Sequence, residues 1–343
     1  MQHFEWVSAR SAAEAANAGT TTVAAAMVAP AGGRVSQNAV IVKAGGIDLL
    51  DLMKEGLLQP RRIVNLRGIA GLDRIVEQRD GTLRIGALVT IAQVAASPIV
   101  RERYAALADA AGSSASPQIR NVATLGGNLL QRPRCWYFRS VRHHCARKGG
   151  ETCFAFGGEN QYHAIFDQYG CAIVHPSTAA TALVALDAKV VLVNAEGASR
   201  EVALENFYLL PDKDIHRENE LKPGEILSTV VLPKLSPGAR SLHLKQGEKD
   251  SFDWPIADVA VLLDRDAGGV CRRASIVLGA AAPVPHRAKA AEAVLIGKSV
   301  RDETARDAAH AALTGAAPLT KNAYKLPIFE TLVRRAILAA AAM

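Results

Sequence analysis

The sequence contains few of the features that mark membrane, secreted or disordered proteins. Its 343 residues include no run of about eighteen or more apolar residues, the length that a membrane-spanning helix needs, so we expect no membrane span. The first residues, MQHFEWVSARSAAEAANAG, lack a basic segment followed by an apolar one and resemble no cleavable signal. Only 5% of the residues are aromatic, whereas 49% are hydrophobic and 21% are charged, a balance typical of a globular protein.

Cysteine is also scarce, and its distribution is uneven. Four of the five cysteines lie between Cys135 and Cys171, with the spacing C-x9-C-x7-C-x17-C. This spacing contains no CxxC pair, so the usual zinc-finger and zinc-ribbon templates do not fit. Disulfides would require an oxidising compartment and would leave one cysteine over. That fifth cysteine, Cys271, lies in a strand-like segment, and we interpret it as a small buried apolar residue.

Four clustered thiolates could hold either a Zn²⁺ ion or a [4Fe–4S] cluster, and both would favour positive charge nearby. The residues alone leave three possibilities open: an iron–sulfur cluster, a zinc site, or cysteines that bind nothing or form disulfides. His143 and His144 could join a zinc site, although solvated histidines are the simpler interpretation. The surrounding sequence supplies six basic residues, namely Arg132, Arg134, Arg139, Arg142, Arg147 and Lys148.

The net charge of +7 would suit nucleic acid as a partner, but charge alone concerns association rather than function. Basic and aromatic residues are interleaved only within residues 131–148. We therefore expect no nucleic-acid binding, and we interpret the charge as that of a mildly basic enzyme that binds an acidic cofactor or an acidic protein.

Two glycine-bearing segments indicate a ligand with phosphate groups. In VKAGGIDLLDLM, Gly45 and Gly46 lie between a predicted strand and an apolar-periodic helix, where glycine lets the backbone approach a ligand and helix N–H groups bind phosphate. NVATLGGNLLQR repeats this arrangement. Neither segment is a GxGxxG or Walker A motif, and each alone is consistent with a plain turn. Together they favour a large anionic cofactor such as a dinucleotide.

Strand and helix patterns are mixed along the chain without repeats, which predicts an α+β fold. The first forty residues are alanine-rich and indicate helices. Two β-runs, Arg74 to Glu77 and Leu83 to Ile85, flank RDGT, whose Asp-Gly pair is a strong hairpin signal. A strand followed by PKLSPG indicates a domain boundary near residue 236.

Several segments resemble one known family. IVKAGGIDLLDLMKEG, RNVATLGGNLLQRPRCWYF, GCAIVHPS and PLTKNAYKLPIFETLVRRAI are similar to the FAD-binding, medium subunit of molybdenum hydroxylases, the xanthine dehydrogenase family. The similarity covers nearly the whole chain and is greatest to the flavin and [4Fe–4S] subunit of periplasmic-type aldehyde oxidoreductases. It implies a two-part FAD-binding domain of the xanthine dehydrogenase/vanillyl-alcohol-oxidase type with a cysteine-bearing insertion, plus a C-terminal α+β domain. The implied limits are 1–236 for the FAD-binding domain, with subdomains of about 1–65 and 66–236 and an insertion of about 131–172, and 237–343 for the C-terminal domain.

The resemblance also implies which residues form the site. The first glycine loop would wrap the FAD pyrophosphate, the second would form another FAD loop, and the four clustered cysteines would ligate a [4Fe–4S] cluster. Relatives usually carry an aspartate after HPS, where this chain has Thr178, so that contact with the flavin's ribityl chain would be made by a hydroxyl. Ser116, or else Gly112, would add a polar contact. The implied FAD residues are Val42, Lys43, Ala44, Gly45, Gly46, Ile47, Asp48, Leu49, Leu50, Ser116, Thr124, Gly126, Gly127, Asn128, Thr178, Leu227 and Lys245, and the cluster ligands are Cys135, Cys145, Cys153 and Cys171.

The implied function is electron transfer. Substrate oxidation would occur at a molybdenum cofactor on a partner subunit, and electrons would pass from [2Fe–2S] centres on another partner through FAD to an external acceptor, with no catalytic residue on this chain. An aldehyde is the implied substrate class, with N-heterocycles next. Synthesis would be cytoplasmic, and a periplasmic location would require co-export with a signal-bearing partner. The alternatives are a zinc-stapled binding protein without flavin and an autonomous flavin oxidase.

Overall fold

Three separate β-sheets with flanking helices make up the structure, a computed structural model that describes residues 2–30, 33 and 35–343. The first sheet has three strands, the second five and the third four. The strands of the first sheet are parallel, whereas those of the other two are antiparallel. The predicted α+β class is therefore confirmed.

The N-terminal unit carries the first glycine segment at the end of a strand. Its elements are β1 (Glu5–Ser8), α1 (Ala12–Ala18), α2 (Val23–Met27), β2 (Val40–Lys43), α3 (Ile47–Lys54) and β3 (Arg62–Asn65), with sheet order β1-β3-β2. The first forty residues were expected to be helical; α1 and α2 agree, while residues 31, 32 and 34 lie outside the described residues. Strand β1 was missed because all four of its residues are exposed and its pairing with β3 is a tertiary contact.

The second unit surrounds a five-stranded sheet of order β4-β5-β8-β6-β7. The predicted hairpin is confirmed: β4 and β5 are antiparallel, and Asp80 Oδ1 accepts a hydrogen bond from the Thr82 N–H. The elements are β4 (Ile75–Glu77), β5 (Leu83–Gly86), α4 (Ile91–Ala96), α5 (Pro98–Arg103), α6 (Ala105–Gly112), α7 (Pro117–Arg120), α8 (Leu125–Leu129), α9 (Thr178–Ala185), β6 (Lys189–Asn194), β7 (Ser199–Ala203), α10 (Leu204–Phe207) and β8 (Glu225–Leu232).

Residues 131–172 interrupt this unit with almost no regular structure. Their one helical element is a short 3-10 turn at Ala146–Lys148. Side chains of the C-terminal part of the chain hold the segment in place: Asn322 Nδ2 donates to the His163 and Ala164 carbonyls, and Lys325 Nζ also donates to His163 O. Polar contacts therefore replace the backbone ladders that helices and strands would supply.

The C-terminal unit is a four-stranded sheet covered by helices. Its elements are β9 (Ala239–Gln246), β10 (Ala257–Arg265), β11 (Cys271–Gly279), β12 (His286–Arg287), α11 (Lys289–Leu295), α12 (Asp302–Ala311) and α13 (Lys325–Ala342), with sheet order β12-β11-β10-β9. Helix α13 buries a stripe at helical spacing that includes Phe329, Val333 and Ile337. Cys271 is fully buried in β11, as its sequence context indicated. Within the described residues, no helix is both long and apolar enough to cross a membrane.

The predicted break near residue 236 falls between the second sheet, which ends at Leu232, and the third, which begins at Ala239. The domain limits themselves stay a prediction.

Replacing Val261 in the centre of β10 with alanine should destabilise the protein by about 2 kcal/mol, because two buried methyl groups are lost and a cavity remains. Val76→Ala is the matched control, since Val76 also lies in a strand but is 44% exposed. Urea unfolding followed by circular dichroism measures both. Equal losses in the two variants would contradict the assignment of β10 to the core.

Candidate cofactor site

A cavity of about 540 Å³ lies where loops of all three units meet. The start of α3 and the start of α8 form part of its wall, and residues 217–227 form another part. The C-terminal unit contributes Lys245 and the loop that carries Phe252 and Trp254. The cavity is therefore assembled from segments that are far apart in the sequence, and its volume suits a cofactor-sized ligand.

The first glycine pair gives the cavity part of its shape. Gly46 precedes α3 with a φ of +89°, a conformation that L-residues with side chains rarely adopt. A Cβ at Gly45 would lie 2.4 Å from the carbonyl oxygen of Val122, so the first loop rests directly on the backbone of the second segment. These glycines therefore permit a close approach between two backbones, which a plain strand–helix turn would not require.

The second glycine segment is held by its own cap. Thr124 Oγ1 accepts a hydrogen bond from the Gly127 N–H at 3.2 Å, which fixes the first turn of α8. A Cβ at Gly126 would lie 2.7 Å from the Cβ of Ala87. The glycine lets α8 lie against the end of β5, and Asn128 is thereby placed at the cavity wall.

The structure brings together sixteen of the seventeen residues predicted to bind FAD. Leu50 is the exception, because its position in α3 turns it toward the core beneath the helix. Gly112, the alternative to Ser116, does not line the cavity, whereas Ser116 does. The lining residues are Val42, Lys43, Ala44, Gly45, Gly46, Ile47, Asp48, Leu49, Ser116, Thr124, Gly126, Gly127, Asn128, Thr178, Leu227 and Lys245.

Two lysines make the cavity attractive to an anion. Burial lowers the pKa of Lys43, and the charge of Arg67 adds to this effect. Burial also lowers the pKa of Lys245, although Asp258 and Asp253 oppose it. Lys245 Nζ donates to the carbonyls of Ser113 and Asp253, at 3.1 and 2.5 Å. An anionic ligand would offset the desolvation of both ammonium groups.

Thr178, where the family resemblance implied an aspartate contact, carries a hydroxyl that bonds to neighbouring polar groups. Ser114 Oγ lies 2.6 Å from both Ala110 O and Thr178 Oγ1. When the Ser114 proton bonds to Ala110 O, the Thr178 hydroxyl donates to Ser114 Oγ. Thr178 Oγ1 also lies 3.3 Å from the Ala110 carbonyl oxygen, and because Thr178 lines the cavity its oxygen can accept from a hydroxyl donor there.

Asp48, which was predicted only to bind FAD, also binds three arginines of the cysteine-bearing segment. Its carboxylate accepts from the Arg132 N–H at 2.9 Å and pairs with Arg134 and Arg139 at 2.9 and 2.6 Å. Because these three arginines belong to the cysteine-bearing segment, Asp48 ties that segment to the first glycine loop.

Several cavity residues were missed by the sequence reasoning. Arg120 donates to the carbonyls of Ser114 and Ala115, at 2.9 and 2.7 Å, and so holds a loop in which Ala115 has a φ of +46°. Isolated arginines and carboxylates carry no motif, so no sequence signal could have found them. The missed lining residues include Arg120, Arg132, Glu218, Phe252 and Trp254.

All four clustered cysteines line a second, much smaller cavity of about 10 Å³. They are free thiols in the structure. A hydrogen bond from Cys153 and the nearby Arg147 hold the pKa of Cys171 down at about 5, whereas burial raises the pKa of Cys135 to about 12. The same hydrogen bond raises the pKa of Cys153, and burial raises that of Cys145. The predicted set of four thus converges on one point.

Buried positive charge surrounds these cysteines. Arg147 Nε lies 3.4 Å from Cys171 Sγ, and its Nη1 donates to Glu218 Oε1 at 2.7 Å. Arg132 Nη2 donates to the same oxygen at 2.8 Å. Lys148 is also buried and donates to the Ser140 carbonyl at 2.5 Å. Three cations thus stand against one carboxylate and the Cys171 thiolate, so positive charge remains in excess.

The histidines are not arranged as the zinc hypothesis predicts. Neither His143 nor His144 lines the cysteine cavity, whereas His163 does, with Nε2 3.2 Å from Cys135 Sγ. Burial and the nearby Lys325 lower the pKa of His163 to about 4, so its ring is neutral near pH 7. Among the residues that the structure describes, no group of three or more His, Cys, Asp or Glu side chains forms a ready site for a metal ion.

Comparisons with known proteins agree with this geometry. Residues 2–235 match the family model for the FAD binding domain in molybdopterin dehydrogenase, and residues 243–340 match that for the CO dehydrogenase flavoprotein C-terminal domain. The fold and cavity define an α+β flavoprotein with a glycine-lined cofactor site. The chain belongs to the molybdopterin dehydrogenase FAD-binding family, whose members are subunits of oxidoreductases.

Individual relatives are similar over most of their length. The chain is 37% identical to the aldehyde oxidoreductase FAD-binding subunit PaoB of Escherichia coli (strain K12), over 82% of this chain and 86% of that protein. It is 28% identical to the carbon monoxide dehydrogenase medium chain of Hydrogenophaga pseudoflava, over 87% and 88%. A solved structure of carbon monoxide dehydrogenase from that organism superposes with a TM-score of 0.74 at 26% identity, over 99% of this chain and 98% of that one.

Gly45→Ala should weaken FAD binding about tenfold or more, because the new Cβ would force apart the two backbones that form the cavity wall. Fluorescence titration of the apoprotein with FAD measures the effect. Gly157→Ala is the control, since a Cβ there meets nothing within 4 Å. Unchanged affinity in Gly45→Ala would show that this contact does not shape the site.

Thr178→Val should weaken FAD binding about fivefold, because it removes one hydrogen-bond acceptor worth about 1 kcal/mol while keeping the side-chain shape. Thr181→Val, in the same helix but not at the cavity, controls for loss of a buried threonine hydroxyl. The same titration compares the two variants, and equal affinities would remove Thr178 from the site.

Proposed function

We propose that this chain is the FAD-binding electron-transfer subunit of a heteromeric molybdenum-dependent hydroxylase, of which an aldehyde is the substrate class. The observation that supports this most strongly is the single cavity into which sixteen of the seventeen implied FAD residues converge. The substrate class rests on similarity to an aldehyde oxidoreductase subunit. Electrons would enter from [2Fe–2S] centres of one partner subunit and leave to an external acceptor, while a further partner carries the molybdenum cofactor.

The residues of the cavity bind and orient rather than perform acid–base chemistry. The bound FAD would supply electron transfer in steps of one or two electrons. The start of α3, after the first glycine loop, offers backbone N–H groups, Lys43 and Lys245 offset negative charge, and Thr178 accepts from a hydroxyl donor. The N–H groups of residues 125–128 in the second loop bond within the protein, so this loop contributes shape and the side chain of Asn128. Phe252 and Trp254, 62% and 55% exposed, stand on the rim and limit the access of water and acceptor. No residue of the chain is assigned a catalytic role.

We further propose that Cys135, Cys145, Cys153 and Cys171 ligate a [4Fe–4S] cluster. Their convergence on one cavity supports this, as does the excess of buried positive charge around it, because a cluster with four thiolate ligands is an anion. The cluster would supply one-electron transfer or would staple an otherwise irregular segment.

The location that we propose follows from the thiols. All five cysteines are free, which suits synthesis and cluster assembly in the cytoplasm. A periplasmic complex would then require co-export of the folded chain with a signal-bearing partner subunit.

The deciding experiment is the absorbance spectrum of the anaerobically purified protein, with iron, zinc and acid-labile sulfide measured on the same sample. Flavin bands with about four irons per chain are expected. FAD without iron would remove the cluster and keep the flavin subunit. A colourless zinc protein that FAD does not reconstitute would overturn both proposals. Oxidase turnover without partner chains would replace the subunit with an autonomous flavin oxidase.

Cys153→Ala should abolish iron binding and leave FAD bound, because the cysteine cavity loses one of four ligands while the flavin cavity is untouched. Cys271→Ala is the matched control, since it removes a buried thiol from β11. Iron and flavin content per chain give the result. Equal iron in the two variants would contradict the ligand assignment.

A further inference from the structure

One carboxylate stands between the two candidate cofactor sites. Glu218 and Arg132 line the large cavity, while Arg147 lines the cysteine cavity. Glu218 Oε1 accepts from both arginines, at 2.8 Å from Arg132 and 2.7 Å from Arg147. The two cavities are therefore joined by an ion-pair network, beside the apolar cluster that contains Leu49 and Phe138.

This network is fixed at both ends by groups that belong to the sites. On one side, Arg147 Nε contacts Cys171 Sγ. On the other side, the Arg132 backbone N–H donates to Asp48, which opens α3 beside the first glycine loop. Arg132 also donates to the carbonyl of His216 at 2.8 Å, so its guanidinium cannot swing away without losing two partners.

The burial of this network has an energetic cost that packing alone would not justify. The side chains of Arg132, Arg147 and Glu218 are 3%, 1% and 7% exposed. Apolar residues of similar volume are often as stable as a buried ion pair, so burial of three charges is weak evidence for a stabilising role. Burial alone would raise the pKa of Glu218, but the two arginines outweigh it and hold that pKa below its usual range. The carboxylate is therefore ionised near pH 7.

We propose that Glu218 is a buried negative charge, shared by the two sites, that lowers the reduction potentials of both FAD and the cysteine-bound cluster. This inference rests on the proposed function, because it requires both cofactors. Adding an electron to either centre places new negative charge near the same carboxylate, and a buried charge is poorly screened by water or salt. The carboxylate therefore disfavours reduction at both centres, while Arg147 favours it chiefly at the cluster that it touches through Cys171.

The test is Glu218→Gln in the complete complex, with potentials read by visible absorbance for the flavin and by electron paramagnetic resonance for the cluster. Both potentials should rise, and the cluster's reduced-to-oxidised ratio at a fixed poise should increase about tenfold, equivalent to about 59 mV for a one-electron couple. Glu220→Gln is the matched control, since that side chain is 44% exposed and its pairing with Arg200 is a long one of 3.9 Å. Its potentials should match those of the wild type.

A second variant guards against a folding defect in the first. Arg147→Met removes the buried cation beside Cys171 and leaves the one-to-one pair of Arg132 and Glu218. The cluster potential should then fall, which is opposite in sign to Glu218→Gln. Potentials that stay unchanged in both variants, or a cluster shift without a flavin shift in Glu218→Gln, would overturn the proposal. Absence of FAD from the wild-type complex would instead overturn the proposed function, and FAD without iron would overturn the cluster proposal on which this inference rests.

Discussion

The contact between Gly45 and the carbonyl of Val122 is the constraint on which the cofactor cavity depends. It brings the end of a parallel strand in the N-terminal unit against a loop of the second unit, at a separation that only glycine allows. Because the two loops meet backbone to backbone, the start of α3 and the start of α8 line the same cavity. A side chain at this point would separate the units and open the wall, so the glycine pair links the architecture of two sheets to the binding of one dinucleotide.

The cysteine-bearing segment is held in place by different interactions from those of the cavity wall. With little helix or strand of its own, it depends on side chains from elsewhere: Asp48 holds its arginines, and Asn322 and Lys325 hold its carbonyls. Its interior carries more positive than negative charge, which is unfavourable unless an anion is present. The segment therefore depends on its charged contacts, and it adjoins the flavin cavity both through these charges and through the apolar cluster of Leu49, Phe138 and Cys145.

Local signals made much of this predictable. The Asp80–Gly81 pair predicts the hairpin of β4 and β5. The two glycine segments predict the loops of the cavity wall, because glycine allows a close approach between backbones. Resemblance to a family added Lys245 and Thr178, which no pattern would single out. Glu218 could not be predicted, since its partner Arg132 is distant in the sequence, and Arg120 could not because its bonds to nearby carbonyls carry no motif. Strand β1 was missed because β3, the strand it pairs with, is distant in the sequence. Leu50 was included because the family resemblance implied the whole segment 42–50, although a helix presents only part of its surface to the cavity.

The rim of the cavity has a consequence for how the protein is made. Lys245 and Trp254 arise from the last third of the chain, and Trp254 stacks on Arg134, its ring centroid 4.9 Å from the guanidinium carbon. Lys325, which secures the cysteine-bearing segment, lies in the final helix. A nascent chain that has released only its first two units from the ribosome therefore lacks both the roof of the cavity and the anchor of its neighbour. The lining of the cavity is therefore complete only when the C-terminal unit has been synthesised.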